Sequence, residues 1–91
     1  MACWVRGDHQ GRVNSEVHVT GHTDEEGVNM VEFTWNGCGL SNLWEKQSMQ
    51  SGACTAAQTP TVDGTLHIDL KFYRDGSTVV HTEGFDCTVN K

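Results

Sequence analysis

Residues 65–83, TLHIDLKFYRDGSTVVHTE, decide the fold. Leu66, Ile68, Leu70 and Phe72 alternate with His67, Asp69, Lys71 and Tyr73, the period of a strand with one face packed and the other in water. The Asp75-Gly76 pair supplies the positive φ angles of a type I′ turn, so the stretch predicts a β-hairpin. A two-residue turn sets Phe72 opposite Val79 and Leu70 opposite His81 on one side of the ribbon.

The same period recurs on both sides of this hairpin. Val13, Ser15, Val17 and Val19 alternate with Asn14, Glu16, His18 and Thr20, and Phe85, Cys87 and Val89 alternate with Asp86, Thr88 and Asn90. Val31, Phe33 and Trp35 predict an inward face that stops at the turn signal Asn36-Gly37. Residues 21–27, with Thr23, Asp24, Glu25 and Glu26, read as an acidic loop. Leu40, Leu43 and Trp44 stand at i, i+3, i+4, so 40–50 fits either a short helix or an irregular strand. Residues 51–63, small and polar and containing Pro60, read as a loop held at Cys54. Five to seven short strands and at most one short helix predict an all-β fold, a small antiparallel β-sandwich or barrel, as a single domain over residues 1–91.

A chain of 91 residues buries only about 60–65% of its unfolded surface, and so thin a core usually needs staples. Four cysteines, widely spaced at 3, 38, 54 and 87, lack the close ligand pairs of a zinc knuckle and point to two disulfides and an oxidising compartment. Three pairings are open. The preferred one joins Cys3 to Cys87, tying the terminal strands, and Cys38 to Cys54, closing the middle loop. Each bridge would contribute on the order of 3 to 5 kcal/mol in the loop-entropy model.

The net charge is −6, with three lysines and three arginines scattered along the chain. That surface repels phosphate backbones, which excludes generic nucleic-acid or anionic-membrane binding. No apolar run is long enough for a membrane span or a signal peptide. A secretory signal has either been removed or never existed; Met1 reads as an expression remnant of a secreted, extracellular protein, whereas a complete, cytosolic chain would keep its cysteines reduced. No cofactor or metal motif is present.

Several side chains carry candidate chemistry. Arg6-Gly7-Asp8 resembles the adhesion tripeptide of disintegrin-like proteins, which implies an integrin ligand, although Gly-Asp is also plain turn chemistry. The histidines at 9, 18, 22, 67 and 81 read as solvent-facing strand residues rather than a metal centre, which needs several convergent ligands. His81 is the exception: the hairpin register turns it inward near Leu70, with Glu83 on the same face. With Arg74 these form a candidate acid/base set, and Val79-Val80-His81-Thr82 resembles the catalytic-histidine strand of T1-type ribonucleases. Trp35 fits the core pattern, leaving Trp4 and Trp44 as candidates for a sugar-stacking platform. The acidic loop lacks the spaced oxygen ligands of a calcium loop. Without a G-x-S-x-G elbow or a glycine-rich phosphate loop, nucleophilic catalysis and nucleotide binding find no support.

In cysteine placement and strand density the chain resembles small secreted fungal effector-type β-sandwich proteins, a likeness of format that marks no functional residue. It implies a non-enzymatic recognition module that contacts a host or partner protein, with Trp4, Trp44 and Tyr73 as aromatic anchors. The alternatives are a carbohydrate-binding module, a small ribonuclease-like hydrolase using His81, an adhesion ligand, and an inhibitor of secreted enzymes.

Overall fold

The structure, a computed structural model, describes residues 2–91, so the reading of Met1 lies outside it. Its described residues form eight strands and no helix: β1 (Cys3–Gly7), β2 (Gln10–Arg12), β3 (Val17–Thr23), β4 (Val28–Gly37), β5 (Leu40–Ser48), β6 (Ala53–Gln58), β7 (Gly64–Arg74) and β8 (Thr78–Asn90). They build two sheets, β1-β3-β6 and β2-β8-β7-β4-β5. All pairs are antiparallel except β2, which runs parallel to β8 after the chain crosses between sheets at Asp8 and His9. The result is a sandwich, with the strand order of immunoglobulin-type domains and a tryptophan, Trp35, buried on β4. Strands β3 and β7, which carry the inter-sheet disulfide in antibody domains, hold no cysteine here.

The central hairpin reaches its register by two compensating irregularities. Its turn has three residues, since Arg74 pairs with Thr78, and Asp75 and Gly76 both take positive φ. A three-residue turn alone would put Val80 opposite Phe72 and turn His81, Glu83, Phe85 and Cys87 outward. The register shift between Phe72 and Tyr73 adds one residue on β8 and restores the parity, so Phe72 faces His81 and Leu70 faces Glu83. The expected partners Val79 and His81 are thus displaced by two positions, while the inward face is the one the alternation predicts.

The core lies between the sheets. Val17 and Val19 of β3 meet Val31, Phe33 and Trp35 of β4 and Leu66, Ile68, Leu70 and Phe72 of β7, all fully buried. Each such side chain stabilises the fold by about 1.5–3 kcal/mol. The sheets pack closely at Gly21, where a Cβ would sit 3.2 Å from Phe72 and Val31.

Several segments depart from the sequence-based expectation. Residues 13–16, expected to open a strand, form a turn with Asn14 at φ 67°, and 21–23, expected in the acidic loop, continue β3. Residues 40–48 are the edge strand β5, which settles the choice between helix and strand. The loop expected at 51–63 contains β6, zipped to β3 from Val17↔Gln58 to His22↔Ala53. The turn expected at Asn36-Gly37 falls two residues later, where Cys38 (φ 54°) and Gly39 (φ 91°) close a hairpin between Gly37 and Leu40.

The expected disulfides are not formed, because all four cysteines are free thiols. Cys3 pairs with Thr23 at the start of β1, whereas Phe85 of β8 reaches only Gly7, four residues on, and Cys87 lies two further still. At the rise of a strand that places Cys3 and Cys87 about 20 Å apart, against a limit of about 7 Å between bridged Cα atoms. Cys54 sits beside Gly21 in the Phe72–Val31 region, while Cys38 lies seven positions beyond Val31, a comparable separation. Burial holds all four thiols up, Cys54 to about 11. They behave as small core hydrophobes rather than staples.

Candidate functional site

The outward residues of the five-stranded sheet combine an open groove with an exposed aromatic ring. Four strands line the groove: Thr34 and Asn36 from β4, Asn42 from β5, Asp69 and Lys71 from β7, Thr82 and Gly84 from β8. Its volume is about 400 Å³, near the lower end of small-ligand sites. Gly84 adds no side chain to the floor, where a Cβ would stand 3.0 Å from His67 Cε1. At the edge, Trp44 of β5 pairs directly with groove-lining Thr34 and is 63% exposed.

Period-2 alternation puts these side chains there. With Ile68, Leu70 and Phe72 drawn into the core, His67, Asp69, Lys71 and Tyr73 must point out. Thr34 and Asn36 alternate with Phe33 and Trp35 in the same way on β4.

Two polar groups of this face are fixed by neighbours. His67 Nδ1 donates to Asp86 Oδ1 at 2.6 Å and Nε2 donates to Asp69 Oδ1 at 2.9 Å. The hydrogen bonds to Asp86 and then Asp69 raise the His67 pKa against a smaller opposing effect of burial, which favours the ring form that donates from both nitrogens. Asp69 is thereby held by one oxygen, leaving the other to the groove. Asn36 Oδ1 accepts the backbone N–H of Asn42 at 2.9 Å, so its amide nitrogen is left to donate. Further along, Lys46 Nζ lies 4.2 Å above the Tyr73 ring, and the Tyr73 hydroxyl donates to Glu32 at 3.4 Å. Burial, then the Glu32 charge, raises the Tyr73 pKa.

The residues singled out from sequence are scattered. Of the aromatic candidates only Trp44 stands free beside a groove. Trp4 is half-buried on β1, on the opposite side of the sandwich, its ring stacked on His22 at 5.5 Å and 6°. Tyr73 lies beneath Lys46. Arg6 and Gly7 are strand residues of β1, and Asp8 Oδ2 accepts the His18 N–H at 2.8 Å, which ties the tripeptide into the sheet. His81 and Glu83 do meet, Nε2 to Oε1 at 3.0 Å, with His81 edge-on to Phe72. Arg74 does not join them, since it ends β7 at the hairpin tip and pairs with Glu25 at 3.5 Å. Of the other histidines, His9 stacks on Phe85 and His18 lies between Asp8 and Glu16. No group of three or more His, Cys, Asp or Glu among the described residues is placed to hold a metal ion.

Sequence reading passed over the groove itself. The outward row His67, Asp69, Lys71 was legible, but the pairing of β4 with β7 that brings Thr34, Asn36 and Asn42 beside it is non-local. No family model matches the chain, and neither does any curated protein or solved structure.

Proposed function

We propose that the chain is a non-enzymatic recognition module, effector-like in format, that engages its partner with the outer face of the five-stranded sheet. The observation that carries this reading is Trp44, a large ring 63% exposed beside an open polar groove. Tryptophan is enriched where interfaces draw most of their energy. The separation of Arg74 from the His81–Glu83 pair favours binding over the hydrolase alternative. The setting we propose is extracellular, at a host or cell surface. Buried thiols with raised pKa values resist oxidation there, because the thiolate is the reactive form.

The test is face-selective loss of retention on intact cell surfaces by the labelled protein. Trp44→Ala lowers retention at least tenfold, whereas Arg6→Ala, on the other sheet, leaves it unchanged. Equal retention of wild type and Trp44→Ala, or equal loss in both variants, would overturn the reading.

A further inference from the structure

Resting on that reading of the outer face, we infer that the groove beside Trp44 is a binding site for an uncharged oligosaccharide. The Trp44 ring supplies an apolar plane, and a pyranose offers a matching C–H face. Next to the plane, the groove holds polar groups of both kinds needed to read sugar hydroxyls, each of which donates and accepts. Asp69 accepts, Asn36 and Lys71 donate, and Thr34 and Thr82 do either.

Two of these groups are oriented in advance. The His67 ring, bound on its other side by Asp86, fixes Asp69. The Asn42 N–H fixes Asn36. Preorganised polar groups lose less ordering entropy on binding, which is what a weakly apolar, hydroxyl-rich ligand requires. Gly84 leaves the floor open, where a side chain would press on His67.

Charge selects the ligand class. Asp69, Asp86 and Glu32 on this face are interspersed with Lys71, Lys46 and the His67 ring, so the face presents no field of one sign. The chain as a whole carries −6 and repels sulfated or uronate polymers. A second groove of about 390 Å³, lined by Gln10, Arg12, Ser15, Glu16 and Asn90, lacks an aromatic plane and so lacks the stacking half of the site.

The inference is tested by titrating the isotope-labelled protein with xylo-, cello-, manno- and chito-oligosaccharides, with oligogalacturonate and a heparin fragment as charged controls. An uncharged series shifts the amides of Thr34, Asn36, Lys71, Thr82 and Gly84, and the charged controls do not. Trp44→Ala and Asp69→Asn each weaken binding at least tenfold, with the dispersed spectrum of a folded chain retained. If only the charged controls bind, the ligand class is wrong. If no oligosaccharide shifts these amides while Trp44-dependent retention on cells survives glycan removal and disappears after protease treatment, the partner is a protein and the inference falls alone. If retention never depended on Trp44, the underlying functional reading falls with it.

Discussion

His67 and Asp86, facing each other across β7 and β8, are joined by the shortest side-chain contact to any histidine among the described residues, Nδ1 to Oδ1 at 2.6 Å. With Asp69 2.9 Å from the other nitrogen, the ring bridges two carboxylates on the solvent face of the sheet, an arrangement that favours its protonated form. Folding therefore raises the His67 pKa above 6.5. The stabilising contribution is fully present below the unfolded value and is lost as pH rises through the higher native one. The ring protons of His67 should titrate with a midpoint above about 6.5, and His67→Gln should flatten the pH dependence of Tm over the interval just above that value. A midpoint at or below the model-peptide value would show the clamp to be absent in solution.

Phe72 is the side chain on which the two sheets close. It is fully buried beneath Gly21 and has the His81 ring edge-on at 5.4 Å. Phe72→Ala is expected to cost about 3–5 kcal/mol, comparable to the whole stability of a domain this small. Urea unfolding should show little or no native baseline for Phe72→Ala and a folded but weakened Phe72→Leu.

Two glycines separate backbone strain from steric collision. At Gly76 (φ 77°) an added Cβ meets nothing nearer than Met30 Sδ at 3.7 Å, so Gly76→Ala should cost only the left-handed backbone penalty of about 1–2 kcal/mol. At Gly37 (φ 107°) the Cβ would lie 2.4 Å from the Thr65 carbonyl oxygen. Because that oxygen is backbone in the paired strand β7, Gly37→Ala should shift the urea midpoint clearly further than Gly76→Ala.

The thiol state gives a fourth prediction. Denatured protein should react as four free thiols, and dithiothreitol should leave Tm unchanged. In the native state Cys3, half-buried at the start of β1, reacts first, and Cys54, whose pKa burial pushes up to about 11, is among the slowest. A large fall of Tm under reductant would instead mean that bridges hold the fold.

Alternation carried most of what could be read from the chain. The inward sets Val31, Phe33, Trp35 and Leu66, Ile68, Leu70, Phe72 needed only period 2, and they survived a turn and a bulge whose shifts cancel. The strand β6 was not legible because Ala53, Ala56 and Ala57 give no strong pattern and pair by tertiary context, against β3. Asn36-Gly37 misled as a turn, since Asn36 stays in β4 and its side chain instead binds the Asn42 N–H. Cysteine number suggested staples, but which side chains meet depends on strand order, and that order keeps Cys3 far from Cys87. The groove was hidden for the same reason, because β4 lies beside β7 and not beside its neighbour in sequence β3.

The claim that the outer sheet face is the ligand surface is tested most directly by filling the groove without touching the core. Thr82 is exposed on β8 opposite Lys71 and lines the groove, and a strand accepts tryptophan readily. The measurement is retention of Thr82→Trp on intact cell surfaces relative to wild type, with Tm recorded for both. Retention at least tenfold lower at an unchanged Tm is the predicted result; undiminished retention with the groove filled would contradict the account.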